Sequence, residues 1–355
     1  MGADQSNISM LHMFTHPVFL VKDGVILGAN QAARDLQIKE NTPITDLLCF
    51  GDEAYRTYTG GALSLSIRIQ AATMIASVIR INGSDFFHLN CENQNSDLQA
   101  LALASQQLRD PLTNVIALAD SLMQYREEIT EKEKIRFSQL EQNLHRLLRS
   151  VGNMSDAQSC GRHSGVMEHW NLTAVIADTV HYAMEHADNE KRGFMFSEEG
   201  DSVTGLADRE LLERAVYNML SNAMRHSDPG TPIQININSD KKRIRFTVEN
   251  FCQSCTQESL GTMFFRYQRA PGLNSHGSGL GLGIPIIRSI ASSHKGSLLA
   301  TLPEPGKIRF ALTIPVLHDN SGKLRSPVLR PEYSGGFDQG LIELSDVLPS
   351  DAYKK

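Results

Sequence analysis

The stretch His276-Gly277-Ser278-Gly279-Leu280-Gly281-Leu282-Gly283-Ile284 decides how the C-terminal half of the chain is interpreted. Its glycines alternate with other residues and lead directly into a helix predicted over 284–293. Glycine lets backbone N–H groups approach a polyphosphate closely, and the positive end of the helix dipole adds to the attraction. Tight turns use the same residues, so a nucleotide site needs support from a second element.

That second element is a helix predicted upstream, over 208–225. Asn218, Asn222 and Arg225 follow one another at spacings of four and three residues, which places them on one helix face. Amide oxygens beside a cation can hold a hydrated Mg²⁺ and phosphate oxygens. Taken alone, the helix is better explained as a polar face in contact with water.

The surrounding pattern predicts one α+β unit over 170–316. A further helix is predicted over 172–186, and strands are predicted over 233–238, 244–249, 297–302 and 308–314. Helices gathered on one face of a mainly antiparallel sheet, an α/β sandwich, is the expected architecture.

In this order the elements resemble the ATP-binding domain of the sensor histidine kinases, within the GHKL family that includes DNA gyrase and a class of heat-shock chaperones. The resemblance rests on an asparagine box, a phenylalanine box at 263–267, a lid and a second glycine box at 277–283. It implies ATP with Mg²⁺, the metal on Asn222 and a phosphate on Arg225. The residues it assigns to nucleotide binding are Asn218, Asn222, Arg225, Asn250, Arg269, Gly277, Gly279, Gly281 and Gly283.

Residues 8–95 read as a separate small α/β unit. Strand-like runs flank Asp23-Gly24, a hairpin signal, and a short helix follows at 30–36. The run PVFLVKDGVILGANQAARDLQI, which begins at Pro17, resembles the opening of a PAS domain, a sensory and dimerisation module. We therefore expect a PAS-like sensory domain at the N-terminal end.

Residues 98–155 carry heptad patterns that predict an antiparallel helical hairpin. The apolar positions of its two helices are Leu101, Leu108, Val115 and Leu122, then Phe137, Leu144 and Val151 with Leu140, Leu147 and Met154. One hairpin cannot bury both seams, so we expect a homodimer whose hairpins form a four-helix bundle. The alternative is a hairpin packed on its own chain. Residues 317–355 read as an extended tail in which only 341–348 is apolar enough to dock.

The hairpin also resembles the dimerisation helix of the same family, but it departs at the reactive position. The family reads Ser-His-Glu-Leu-Arg-x-Pro-Leu, and this chain reads Ser105-Gln106-Gln107-Leu108-Arg109-Asp110-Pro111-Leu112. Gln106 stands where the phosphoacceptor histidine belongs, and a glutamine amide is no nucleophile toward phosphorus. Gln107 replaces the acidic neighbour and cannot accept a proton as a carboxylate does. The best substitute acceptor is His145, at a predicted outward position of the second helix.

A second departure lies where the family has Asp-x-Gly-x-Gly, whose carboxylate binds the adenine amino group. Here the residues are Asn250-Phe251-Cys252-Gln253-Ser254, so the charge is lost and side chains stand where backbone should approach the base. We expect weak or absent nucleotide affinity. Cys252 and Cys255 could form a redox pair or half a zinc site, but a loop that has drifted is favoured.

Composition bounds the remaining classes of function. The chain has 355 residues, enough for two or three domains, and a formal net charge of −6, which argues against nucleic-acid binding. Five scattered cysteines suit reduced thiols in a cytosol. No long apolar run or signal peptide is evident, so we expect a cytoplasmic protein without membrane contact.

Together these features predict a dimeric, histidine kinase-like pseudokinase that acts by binding a partner, either a response regulator or another histidine kinase. The alternative is an active ATP-dependent kinase that phosphorylates His145 or a partner's histidine.

Overall fold

The computed structural model describes residues 8, 10–89, 108–109, 111–119, 121, 130–158, 167–187, 193–265, 282–318 and 337–353. Within these ranges no helix combines the length and the apolar character that crossing a membrane requires.

The N-terminal unit is an antiparallel sheet with two short helices. Asp23 and Gly24 have φ angles of 50° and 78°, which suits the tight turn that the sequence predicts between the first two strands. Its elements are β1 (Val18–Lys22), β2 (Val25–Ala29), α1 (Gln31–Asp35), β3 (Leu48–Phe50), α2 (Asp52–Arg56), β4 (Ala62–Ile69), β5 (Ala72–Ile81) and β6 (Ser84–Leu89). The strands lie in the order β2-β1-β6-β5-β4, and β3 pairs with the far side of β4. One face carries a core built around the stacked rings of Phe19 and Phe87.

The hairpin region contributes helix α3, described over 111–119, and helix α4 (Glu131–Gln158). Thr130 and Glu133 form a reciprocal capping box at the start of α4. Ile116 and Ala119 of α3 pack with Leu144 and Leu148 of α4, so the two helices contact each other.

The heptad positions of α4 separate into two groups. Leu144 and Val151 are each 7% exposed, so their seam is filled within the chain. Leu140 and Leu147, by contrast, are 45% and 51% exposed. The chain's own residues thus cover the Leu144 position, as the alternative of a hairpin packed on its own chain expects, and the four-helix bundle stays a prediction.

The third unit is a layer of helices on a sheet. Its elements are β7 (Glu168–Asn171), α5 (Leu172–His186), β8 (Phe194–Gly200), β9 (Thr204–Ala207), α6 (Arg209–His226), β10 (Ile233–Ser239), β11 (Arg243–Phe251), α7 (Gln257–Phe265), α8 (Gly283–Ser293), β12 (Ser297–Thr301) and β13 (Lys307–Pro315). The sheet runs β12-β13-β11-β10-β8, antiparallel except for the parallel pair of β10 with β8. Its apolar face packs against α5, α6 and α8 in one core. The predicted helices-on-sheet architecture is confirmed.

The two sheets join edge to edge. β4 pairs antiparallel with β12 through Leu298 opposite Ser64 and Ala300 opposite Ala62, which makes a single sheet of eleven strands in the described part of the chain. Arg288 of α8 donates to the Ser64 hydroxyl at 3.0 Å and to the Phe264 carbonyl at 2.8 Å. The N-terminal unit therefore contacts the third unit through backbone pairing and buried polar contacts.

The C-terminal segment, residues 337–353, folds back on the molecule. It forms helix α9 (Gln339–Glu343), whose N-cap Asp338 accepts from the Leu341 amide, and a 3₁₀ turn (Ser350–Tyr353). Leu344, Leu348 and Tyr353 are each at most 3% exposed. The segment packs on α4, α5 and α6, so the stretch 341–348 that the sequence marks as able to dock lies in a compact helical segment and not in an extended tail.

The sheet junction predicts a sharp difference between two glycine substitutions. Gly61 and Gly24 both have positive φ, so alanine at either site meets a backbone cost of about 1–2 kcal/mol. A Cβ at Gly61 would also overlap the Ala300 carbonyl oxygen of β12, whereas a Cβ at Gly24 has nothing within 4 Å. We expect Gly61→Ala to lower the thermal midpoint more than Gly24→Ala and to remove amide exchange protection from β12. Equal effects of the two variants would contradict the junction.

Candidate functional site

Helix α6 carries the polar face that the sequence singles out. Asp208 caps its start by accepting from the Leu211 amide at 3.2 Å, and Leu212, Val216 and Leu220 bury its opposite side in the core. The capped, buried helix fixes the positions of Asn218, Asn222 and Arg225. All three are described, and they differ in what they contact.

Asn218 is completely buried, and other parts of the chain satisfy its amide. Its Nδ2 donates to the Arg214 carbonyl at 2.9 Å and to Glu343 Oε2 at 3.1 Å. Its Oδ1 accepts from Arg149 Nη2 of α4 at 3.4 Å. The side chain predicted to face a nucleotide is therefore bound by the hairpin and the C-terminal segment.

Asn222 lies where the last glycine of the predicted phosphate loop begins helix α8. A Cβ on Gly283 would stand 3.3 Å from Asn222 Oδ1 and 3.4 Å from Asn218 Oδ1. Glycine permits this approach without any shift of the two asparagine side chains, whereas a Cβ would be in tight contact with Asn222. The structure thus brings the asparagine face and the described end of the glycine box together.

Arg225, the predicted phosphate contact, forms an ion pair with Asp346 of the C-terminal segment. Asp346 also lies 2.9 Å from Arg149 Nη1 and 3.8 Å from Arg146 Nε. Its side chain is 26% exposed, so the carboxylate stands at the mouth of this cluster of arginines.

Glu343 lies deeper in the same cluster and is 3% exposed. Its carboxylate contacts Arg214 Nε at 2.9 Å and Arg149 Nε at 3.5 Å. Arg214 and Arg149 are themselves 2% and 8% exposed. Buried charges require such partners, because removing one member of a buried pair costs about 3–5 kcal/mol. The glutamate is thus the counter-ion for two arginines that belong to different helices.

We name this group of residues the arginine cleft: Arg146 and Arg149 of α4, Arg214, Asn218 and Arg225 of α6, with Glu343 and Asp346 as its acidic occupants. Guanidinium groups bind carboxylate and phosphate oxygens with the same fork of donors. The cleft is therefore chemically suited to oxyanions. Here the oxyanions come from the chain itself.

The sequence reasoning missed every member of the cleft except Asn218 and Arg225. A signal was present, since Glu343 and Asp346 stand three residues apart in the apolar stretch 341–348, as Arg146 and Arg149 do in α4. Spacings of three residues on a helix place charges on one face. What the sequence does not carry is the contact across about 200 residues that pairs the two groups.

His145, the substitute phosphoacceptor, does not face outward as expected. It is 6% exposed, and its Nδ1 is hydrogen-bonded to the Glu141 carbonyl at 2.8 Å. Phe337 and Tyr353 contact its ring, with centroids at 6.1 and 5.2 Å. The expectation fails because the heptad pattern of α4 takes no account of the C-terminal segment that covers this face.

Asn250, the predicted adenine contact, is the penultimate residue of strand β11 and is 3% exposed. Its Nδ2 donates to the Phe251 carbonyl at 3.2 Å. In the loop that follows, Cys252 and Cys255 are joined by a disulfide, so the expectation of reduced thiols is wrong for this pair. Their separation of three residues allows the bond because the turn brings their Cα atoms to 5.4 Å.

Burial sets the protonation of the side chains around the C-terminal segment. Desolvation raises the pKa of the Tyr182, Tyr217 and Tyr353 phenols well above their usual range, and the nearby Asp338 carboxylate raises the pKa of Tyr182 further. Burial, with the neighbouring Arg225 charge, lowers the pKa of His226. At neutral pH the phenols are therefore uncharged, and the charges at this site come from the arginine cleft.

The remaining predicted site residues lie outside the described residues. These are Gln106 and Gln107 in the first hairpin helix and Arg269, Gly277, Gly279 and Gly281 in the lid and glycine box. Their roles stay predictions.

Comparison with known proteins agrees with the fold. Residues 207–318 match the family described as "Histidine kinase-, DNA gyrase B-, and HSP90-like ATPase". This range holds α6, α7, α8 and the strands β10 to β13 of the third unit, so the predicted GHKL-type domain is confirmed.

Curated relatives match over a longer stretch. The sensor histidine kinase CusS of Escherichia coli K12 is 29% identical over 214 residues, which are 59% of this chain and 44% of the relative. The sensor protein CzcS of Cupriavidus metallidurans is 32% identical over 143 residues, 40% of this chain and 30% of the relative. The chain thus spans less than half the length of either protein.

Solved structures with a related fold include full-length ShkA in complex with AMPPNP. It has a TM-score of 0.47 at 16% identity, over 62% of this chain and 46% of that one. The catalytic domain of ThkA has a TM-score of 0.36 at 22% identity, over 43% of this chain and 99% of that one. Residues 207–318 thus form an ATPase domain of the histidine kinase, gyrase B and HSP90 type, and the chain is similar to the sensor histidine kinases over a longer stretch.

Proposed function

We propose that this protein is a dimeric, cytoplasmic, histidine kinase-like signalling protein that has lost autokinase chemistry and acts by binding a partner. The observation that carries the proposal is Gln106 at the phosphoacceptor position of the hairpin motif, with Gln107 beside it. Transfer of a phosphoryl group needs a nucleophile and a group that accepts its proton. Neither glutamine supplies one.

The position of His145 supports the same proposal. A histidine between Phe337 and Tyr353 with only 6% of its surface exposed cannot meet the γ-phosphate of a bound ATP without displacement of the C-terminal segment. An acceptor must approach the reacting phosphorus to near contact distance before transfer begins. This leaves the described part of the hairpin without an accessible acceptor.

For the ATPase-type domain we propose weak binding of ATP with Mg²⁺. Asn222 and the described end of the glycine box at Gly283 favour binding, since they bring a metal-binding amide beside a backbone that can approach phosphates. Asn250 weakens it, because an amide has no charge with which to hold the adenine amino group. The domain then serves as a scaffold that senses nucleotide.

The competing function is an active kinase that phosphorylates a histidine of another chain. The retained asparagine face and ATPase-type domain favour it, since a domain that only holds a shape needs neither Asn222 nor the glycine box. We rank this function second, because Asn250 at the adenine-binding position weakens ATP binding whichever histidine is the acceptor.

The N-terminal unit supports the signalling role. Its strand order of β2-β1-β6-β5-β4, with the helices α1 and α2 between strands, is the arrangement expected of a PAS-like sensory domain. Because β4 pairs with β12, a conformational change in such a domain can be transmitted directly to the ATPase-type domain. We propose that the partner is a response regulator or another histidine kinase.

The exposed heptad residues Leu140 and Leu147 generate a prediction about assembly. We expect the chain to dimerise through them, and Leu140→Glu with Leu147→Glu to give monomers because two charges enter an apolar seam in each copy. Gln139→Glu, a charge added to the neighbouring exposed position, is the control and should stay dimeric. Analytical ultracentrifugation distinguishes the two. A double variant that sediments as the same dimer would place the interface elsewhere.

The chemical prediction concerns phosphohistidine. After incubation with labelled ATP and Mg²⁺ we expect no acid-labile phosphate on the protein, because Gln106 and Gln107 replace the acceptor and its acidic neighbour. Gln106→His alone should restore little. Gln106→His with Gln107→Glu and Asn250→Asp should restore more, since acceptor, proton acceptor and adenine contact are then all present.

A strong phosphohistidine signal from the unaltered protein would contradict the pseudokinase proposal. If that signal disappeared in His145→Ala, the acceptor would be His145, and the competing function would replace the first.

A further inference from the structure

The C-terminal segment places two carboxylates where the family resemblance expects the phosphates of a nucleotide. Asp346 contacts Arg225, the predicted phosphate ligand, and Glu343 accepts from the amide of Asn218 on the asparagine face. Neither contact follows from the resemblance, which covers no part of residues 337–353.

We propose that residues 337–353 are an internal ligand that closes the nucleotide site: Glu343 and Asp346 occupy the arginine cleft in place of phosphates, and nucleotide and segment exclude each other. This inference rests on the proposed binding of ATP by the ATPase-type domain. It adds that the low affinity has a second cause besides Asn250, namely competition from the chain itself.

The two carboxylates match a phosphate in charge and in the donors from which they accept. A phosphate and a carboxylate both offer oxygens to the planar donor fork of arginine, and both are favoured where several guanidinium groups converge. Asp346 lies among three arginines and Glu343 between two, with Arg149 shared. Polyphosphate would have to compete with Asp346 for Arg225 and with Glu343 for the Asn218 amide, because the two carboxylates already lie against these groups.

The C-terminal segment is also held by contacts away from the charged side chains. Leu344, Leu348 and Tyr353 are buried, and Gln142 of α4 donates to the Ser345 and Leu348 carbonyls at 3.2 and 2.8 Å. Gly340 lies against the ring of Tyr182, where a Cβ would overlap the ring. Because these contacts involve no charged side chain, a substitution at an uncharged residue can release the segment from the site.

The C-terminal segment also connects the nucleotide site with the hairpin. Arg149 belongs to α4, and its contacts with Glu343, Asp346, Asn218 and Ser221 tie that helix to α6. The same segment covers His145 on α4. Release of the segment would therefore free the nucleotide site and the hairpin helix in one step, which couples nucleotide binding to the arrangement of the two domains.

The test measures binding of ATP with Mg²⁺ by calorimetry to four full-length chains. Two variants open the site by different routes. Asp346→Asn removes the carboxylate charge that pairs with Arg225. Gly340→Val displaces α9 from Tyr182 and leaves every charged residue in place. The unaltered chain and Asp351→Asn, which removes an exposed charge from the same segment, are the references. Far-ultraviolet circular dichroism verifies folding, and Gly340→Ala replaces Gly340→Val if the latter misfolds.

A competing internal ligand lowers the apparent affinity in proportion to the fraction of molecules in which the site is open. We therefore expect both opening variants to bind ATP about tenfold more tightly than the references. A synthetic peptide of residues 337–353 should reverse the gain in Gly340→Val, and a scrambled peptide should not. Unchanged affinity in both variants would overturn the inference while leaving the proposed ATP binding intact.

Absence of ATP binding in every folded variant would overturn the inference together with the proposed ATP binding, and the domain would be a scaffold alone. Phosphohistidine formed by an opened variant would instead contradict the pseudokinase proposal and leave the internal ligand standing.

Discussion

The carboxylate of Glu343, buried between the guanidinium groups of Arg149 and Arg214, is the interaction on which the arrangement of the C-terminal half depends. The three residues come from three elements, so neutralising these charges requires that the C-terminal segment, α4 and α6 meet at one place. A buried ion pair is a costly device for stability alone, because hydrophobic residues of the same volume often serve as well. Here the buried ion pair fixes the place where three elements meet, and other anions can compete with Glu343 for the two arginines.

The edge-to-edge sheet gives the second constraint. β4 and β12 fix the N-terminal unit to the ATPase-type domain by backbone hydrogen bonds, and Arg288 reinforces the contact from α8, the helix that begins at Gly283 of the glycine box. A change in the N-terminal unit therefore reaches the glycine box through one helix. On the proposed function, the nucleotide site would lie between the N-terminal unit on one side and the C-terminal segment on the other.

The sequence allowed the ATPase-type domain to be predicted, because the asparagine face and glycine box are local patterns with a fixed spacing. It did not allow the sheet junction to be predicted, since Ser64 and Ser66 alternate with apolar residues, a pattern that indicates a strand with one face exposed to solvent. Both are buried, by Arg288 and Ser292. The arginine cleft was missed for the same reason: Glu343 and Asp346 acquire meaning only from arginines distant in sequence. The cover over His145 likewise depends on a tertiary contact, whereas the disulfide of Cys252 depends on the local turn that brings Cys255 close to it.

Hydrogen–deuterium exchange on the unaltered full-length chain tests the central claim most directly, because it follows the segment and the site in one experiment. Saturating ATP with Mg²⁺ should raise the exchange of amides in 341–348 and lower that of α6 and of the start of α8, since nucleotide takes the place of Glu343 and Asp346. If ATP protects α6 while the protection of 341–348 stays the same, segment and nucleotide bind together, and the account of the C-terminal segment as an internal ligand is wrong.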